Sequence, residues 1–261
     1  MAEHDAPRFA TPAAARTLQV LELLADTGES LNLTEIAARL DLPKSSVHHM
    51  LAVLTEFGWV ERDPETLRVT LGLRAWEVGQ AYHVAQSMTQ RARPFMDRVR
   101  DEIGETVRLA VRSGTDQVCI AKSAGPHQLV FDQRVGARLP CHATGLGKAL
   151  LVGLTGPELE ALYADGLEQY TETTLPDVAS LRAELEVAAG SGYAEDHGEY
   201  ILGIRCVAVP VRRPDGVIVS ALSVSGPTRR FDDAHVAESL DSLQRAAREL
   251  GRRLGEETDL T

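Results

Sequence analysis

Cysteine is scarce: the three residues Cys119, Cys141 and Cys206, in a chain of 261, stand far apart with no CxxC pair. Such spacing offers neither a disulfide framework nor a zinc ribbon, and reduced thiols are the expectation. Long apolar runs are missing too. None approaches the roughly 20 residues that cross a bilayer, so no membrane partner is expected. The opening stretch carries Glu3, Asp5, Pro7 and Pro12 and lacks an apolar signal core, which makes a cytoplasmic location the expectation. Basic charge is also short. Lys and Arg number 27 against 38 Asp and Glu, a net charge of −11, and this excludes a passive nucleic-acid coat, whose affinity comes from neutralising phosphates. The first seventy residues share the deficit, with six Lys/Arg against eleven Asp/Glu, a net of −5. DNA binding there has to rest on local placement of basic groups.

What is present is ordinary globular composition, 44% hydrophobic and 25% charged, in a length that suits a small domain plus a larger one. Leu18, Leu21, Leu24 and Ala25 recur at helical spacing and stop at Asp26-Thr27-Gly28. Asn32 with Glu35 three residues later predicts a reciprocally capped helix through Leu40. Pro43 suits the first position of a third helix, whose Val47, Met50, Leu51 and Leu54 share one face until Phe57-Gly58. The opposite face carries Lys44, Ser45, Ser46, His48 and His49, hydrogen-bonding groups placed where a recognition helix meets base edges and phosphates. Trp59 to Thr70 reads as strand, Pro-containing turn and strand, a wing bearing Arg62 and Arg68. The alternative is a protein-interaction module with a solvated polar face.

The run from Leu33 to Leu51 (LTEIAARLDLPKSSVHHML), followed by Gly58 to Asp63 (GWVERD), resembles the DNA-binding half of the IclR family of bacterial regulators. Further motifs continue the resemblance: Leu139 to Leu151 (LPCHATGLGKALL), Gly203 to Ala208 (GIRCVA) and Ala221 to Pro227 (ALSVSGP). It covers about residues 14 to 254. His49 departs from it, standing where the family usually has Arg, so a contact there is weaker and pH-sensitive.

Ala75, Val78, Tyr82 and Ala85, with Trp76 alongside, mark a helical seam able to pack on its own domain or on a second copy. Another helix holds Ala92, Met96, Val99 and Ile103 and ends at Gly104. From Thr106 the pattern alternates. Val107, Leu109 and Val111 face one way and Arg108 and Arg112 the other; Val118 with Ile120, then Val207, Val209 and Val211, repeat the scheme. Helices are predicted at 147–154, 157–164 and 177–189, and a last one carries Val236, Leu240, Leu243, Ala247, Leu250 and Leu254. The fold class is α+β. With the resemblance, the expected organisation is a winged helix-turn-helix at 12–72, a linker helix at 73–88 and a GAF-like effector-binding domain at 89–255.

Thr144 to Lys148 looks like a phosphate loop but is not one, since His142 stands where a P-loop needs Gly and Ala149 where it needs Ser or Thr. What remains is a small-residue helix start whose Gly145 and Leu146 amides favour an anion, or a glycine kept for close packing. Ser223 and Ser225 are two apart on a strand and point to one side, away from Leu222 and Val224. The resemblance implies that these serines, Cys206, Asp196, Gly145 and Leu146 line the effector pocket; His197 and Gly198 stand where members commonly carry acidic residues. A metal site would recruit His142, His197, Cys141 and Cys206, but no zinc spacing is matched. A catalytic cysteine with His142 or His197 as base lacks an orienting third group.

The expectation is a DNA-binding transcriptional regulator, a repressor, that is not an enzyme and needs no cofactor or metal. Its partners are double-stranded operator DNA read as an inverted repeat, a small organic-acid effector, and further copies of itself in a homodimer or dimer of dimers. The rival is a thiol-based redox sensor or enzyme on a GAF-like domain; a third possibility is a protein-binding adaptor.

Overall fold

The structure is a computed structural model that describes residues 11–127 and 133–256, apart from the side chains of 83–86. The chain forms two compact units, Met1–His83 and Val84–Thr261.

The first unit holds α1 (Pro12–Thr27), α2 (Leu33–Arg39), α3 (Lys44–Glu56), β1 (Val60–Arg62), β2 (Val69–Leu71) and α4 (Leu73–Gln80). Gly28, at φ 63, ends α1 in the left-handed conformation and donates to the Leu24 carbonyl. The buried residues of α1 are Val20 and Leu24, one turn apart, whereas Leu18 is exposed. The stripe read from the sequence was thus displaced, because Val20 lies nearer the centre of the buried face. The capping box of α2 is formed: Asn32 N donates to Glu35 Oε2 at 2.8 Å and Glu35 N to Asn32 Oδ1 at 2.9 Å. Val47, Met50, Leu51 and Leu54 of α3 join Ile36, Leu31, Val60 and Val69 in one core. Pro43 caps α3 instead of opening it. β1 and β2 pair antiparallel, and Leu31 bridges to Val69 on the far side of β2.

The linker helix expected at 73–88 is two helices. α4 ends at Gln80, where Ala81 N donates to Val78 O and Tyr82 N to Gly79 O, both at 3.1 Å, a tightened last turn. Gly79 makes that end weak. A new helix begins at His83, and Ala85, assigned to the seam, has its side chain outside the described residues.

The second unit contains α5 (His83–Ile103), β3 (Thr106–Ser113), β4 (Asp116–Ser123), β5 (Arg138–Pro140), α6 (Gly145–Leu151), α7 (Gly156–Leu162), α8 (Val178–Ser191), β6 (Ala194–His197), β7 (Ile204–Arg212), β8 (Ile218–Pro227) and α9 (Asp233–Gly255). One antiparallel sheet runs β5-β4-β3-β8-β7-β6. On one face Val107, Leu109, Val207, Val209, Leu222 and Val224 pack with Met96 and Val99 of α5 and Leu243 and Leu250 of α9. On the other, Ala110, Ala208 and Ala221 meet Leu146, Leu150 and Leu151 of α6 and Leu181 and Leu185 of α8. Small residues on this second face let α6 approach and leave space beside it.

Candidate functional site

On the first unit, burying Val47 and Leu51 turns Lys44, Ser45, His48 and His49 outward, with Ser46 half-buried. Among the described residues no side chain caps the start of α3, so its first amides stay open beside Lys44. Arg62 is exposed on the wing. Asp63 shapes the wing turn by accepting from Glu65 N at 3.0 Å, Thr66 N at 2.6 Å and Thr66 Oγ1 at 2.7 Å; the Thr66 amide is the main reason its carboxyl lies below the usual range. Arg68 is engaged internally. Its Nε donates to Ser30 Oγ at 2.9 Å, and its Nη2 meets Glu35 Oε2 at 3.1 Å. Arg68 thereby ties the wing to the capping box of α2, a link between residues 33 apart that sequence spacing does not announce.

On the second unit, a cavity of about 550 Å³, open mouth included, lies between the sheet and the start of α6. Gly145, Leu146, Asp196, Cys206, Ser223 and Ser225 all line it. Register explains the gathering: Asp196 pairs with Cys206, and Cys206 with Ser225, in one row across three strands. The two glycines of the helix start have separate reasons. A Cβ on Gly147 would fall 2.1 Å from the Cys141 Cα, so that position is glycine for packing. A Cβ on Gly145 would sit 3.1 Å from Cys206 Sγ, at the cavity wall. The Thr144 hydroxyl takes the Gly147 amide at 3.2 Å, and the Gly145 and Leu146 backbone stays beside the cavity.

Electrostatics separate the wall groups. Asp196 is buried and accepts from Glu199 N at 2.7 Å; burial raises its carboxyl to about 7 despite that bond. Burial also pushes the Cys206 thiol up to about 12, with Asp196 adding to the effect. Lys148, which follows the helix start, does not reach the cavity: it is buried on Glu199 at 2.6 Å and Glu184 at 2.5 Å. His142 rests its Nε2 on the Glu168 carbonyl at 2.9 Å, whereas His197 is exposed against Glu195. Among the described residues no cluster of three or more His, Cys, Asp or Glu could hold a metal ion.

Besides Thr144, at the helix start already singled out, sequence reading missed four polar wall residues. Arg108 is buried and donates from Nη1 to Ser225 Oγ at 2.8 Å; alternation had placed it opposite Leu109 without showing what it meets. Gln117 enters the wall through a β-bulge, which interrupts the period of two. Gln133 and Tyr200 come from irregular segments, where no periodicity points anywhere.

Comparison with known proteins agrees with this architecture. Residues 13–64 match the IclR helix-turn-helix domain and residues 80–252 the bacterial transcriptional regulator IclR C-terminal domain. The chain is 34% identical over 241 residues to the HTH-type transcriptional repressor AllR of Escherichia coli K12, covering 92% of this chain and 89% of that one. It is 34% identical over 242 residues to the regulator XynR of the same organism, covering 92% and 96%. Among solved structures, the IclR protein of Thermotoga maritima superposes with a TM-score of 0.73 at 28% identity, over 93% of this chain and 98% of that one. An IclR homolog from Microbacterium hydrocarbonoxydans, complexed with 4-hydroxybenzoate, gives 0.78 at 28% identity, over 95% and 98%. With both domains matched in order, the chain belongs to the IclR family of bacterial transcriptional regulators.

Proposed function

We propose that this regulator is a repressor that reads operator DNA through α3 and the wing and releases it when a small organic acid enters the cavity of the second unit. The observation that carries the reading is the convergence of Gly145, Leu146, Asp196, Cys206, Ser223 and Ser225 on one cavity that also contains Arg108. Arg108 puts a full positive charge in the wall and, with hydroxyls and helix-start amides, suits a carboxylate. The neighbour from Microbacterium hydrocarbonoxydans binds such an acid, and AllR carries the name of a repressor. Asp196, held near half protonation at neutral pH, repels an anion less than an ordinary aspartate and can accept from a hydroxyl.

On the DNA side, Ser45, Ser46, His48 and His49 read base edges while Lys44, Arg62 and the first amides of α3 hold phosphates. Arg68 acts by fixing the wing. One such unit spans too few bases, so a homodimer or dimer of dimers on an inverted repeat is required. α4 supports this: it buries none of its residues, and Leu73, Trp76, Val78 and Tyr82 are exposed along this stretch. The protein works in the cytoplasm, where its DNA is.

Burial favours this reading over a thiol sensor or enzyme. Cys119, Cys141 and Cys206 are buried, and burial pushes Cys141 and Cys206 up to about 12, so at neutral pH these two are almost wholly thiols and poor nucleophiles. The test is operator binding on the DNA flanking its own gene, titrated with small organic acids, for wild type and Ser223→Ala/Ser225→Ala. The variant is expected to bind operator normally and ignore the acid. An acid response equal to that of wild type places the effector elsewhere.

A further inference from the structure

The residue that carries an inference beyond this reading is Gln117. Along the β3–β4 pairing Leu109 lies opposite Ala121 and Ala110 opposite Cys119, so β4 spends one extra residue, Ile120, at this point. Such a bulge reverses the face of every residue beyond it. Ala121, before the bulge, packs into the core beneath α5 and α9. Beyond it, Cys119 and Gln117 stand opposite Ala110 and Arg112, on the face that carries the cavity. Without the bulge, Gln117 would be turned into the apolar core with Leu109 and Val107.

Gln117 lines the cavity, is 1% exposed, and among the described residues its Oε1 has no hydrogen-bond partner. A buried amide oxygen without a donor costs about 1–3 kcal/mol, and folds rarely keep one without a use. The neighbouring groups are already engaged: Ser225 accepts from Arg108, and Asp196 accepts from the Glu199 amide. Gln117 differs from both. It is an acceptor held at the wall with no donor among the described residues.

We infer that Gln117 is a specificity-determining residue of the effector pocket, and that the effector is an organic acid bearing, away from its carboxylate, a hydroxyl or amide N–H that donates to Gln117 Oε1. The inference rests on the pocket reading above. In the sheet order, β4 with Gln117 lies on one side of β3 and β8, which carry Arg108, Ser223 and Ser225; β6 with Asp196 lies on the other. The anion-binding donors are therefore central and the acceptors flank them. An acid without a remote donor fills the cavity but leaves Gln117 unpaired, and a site built to pair a substrate hydroxyl discriminates strongly against its absence.

Two measurements on the full-length protein test this. In the ligand-free state Gln117→Leu, similar in size and free of the stranded acceptor, is expected to melt at or above the wild-type temperature; a fall of several degrees would mean that the carboxamide has a structural partner and would overturn the inference. Calorimetry then compares matched acids, 4-hydroxybenzoate with benzoate, 4-hydroxyphenylacetate with phenylacetate, and 3-hydroxybutyrate with butyrate. Wild type is expected to prefer the donor-bearing member of at least one pair by about tenfold, the scale of one hydrogen bond, and Gln117→Leu to bind both members alike. Preference retained in Gln117→Leu, absence of preference in wild type, or no binding across the panel overturns it. Ser223→Ala/Ser225→Ala separates the two levels. Acids lost in that variant but indifferent to Gln117→Leu sink the role of Gln117 alone; acids that bind all three proteins equally sink the pocket reading.

Discussion

Lys148 Nζ lies 2.6 Å from Glu199 Oε1, and both side chains are buried, at 2% and 4% exposure. The same ammonium reaches Glu184 at 2.5 Å on the outer side. Burial works against the charge on Lys148, but two facing carboxylates outweigh it and its pKa is raised. Glu199 also donates its amide to Asp196, so this buried pair fixes the loop that forms one wall of the cavity. Lys148→Met leaves Glu199 without its counter-charge. The expected loss is about 3–5 kcal/mol in urea unfolding; Glu199→Gln, which leaves Lys148 on Glu184, is expected to cost less.

Asp196 predicts a pH dependence. Its folded-state value of about 7 lies above the ordinary 3.8. Between those values the native protein holds a proton that the unfolded chain has released, so stability falls as pH rises across the window and levels off above it. Asp196→Asn keeps an acceptor for the Glu199 amide and removes the titration. Melting temperatures from pH 4 to 8 are expected to decline more steeply in wild type than in the variant, the gap growing toward pH 8. At full strength the difference is on the order of 4 kcal/mol. Affinity for a carboxylate effector is expected to weaken above pH 7 in wild type only.

Much of this was legible from local chemistry. The Asn32–Glu35 box is a three-residue signal and formed as read. The period of two put Ser223 and Ser225 opposite Leu222 and Val224, and the sheet obeys it there. Gln117 was not legible, because one extra residue at Ile120 inverts the alternation and only the partner strand reveals it. Spacing places Arg68 on the wing as a cation for DNA and is silent on its contacts with Ser30 and Glu35, which depend on tertiary approach. Leu18 shows the limit of helical spacing, since several residues of α1 are apolar and packing alone chooses Val20.

The engagement of Arg68 makes its role testable against a phosphate contact. The pair with Glu35 is more than a third exposed and worth little by itself, while the fork onto Ser30 supplies the geometry. Arg68→Ala is expected to cost about 1 kcal/mol of stability at most, and to weaken operator binding without changing its salt slope. Arg68→Lys is expected not to restore binding, because an ammonium cannot reproduce the fork. Lys44→Ala, in contrast, is expected to reduce the slope by about one. A reduced slope in Arg68→Ala would assign Arg68 to the DNA instead.

The exposed apolar residues of α4, with Tyr82 just beyond its end, carry the last prediction. Leu73, Trp76 and Tyr82 are each about 60% exposed, and α4 buries none of its own residues. A monomer rarely leaves adjacent large apolar side chains in water, and an inverted-repeat operator, as proposed above, would be matched by a two-fold partner. Covering this surface with a second copy answers both demands. Light scattering at micromolar concentration is expected to give a dimer or tetramer for wild type. Trp76→Glu/Tyr82→Glu, altering side chains that pack in no core of the unit, is expected to lower the mass and the operator affinity while leaving the melting temperature of the second unit unchanged. A wild-type monomer with full operator affinity would refute the assignment; an undiminished assembly in the double variant would move the contact to another surface.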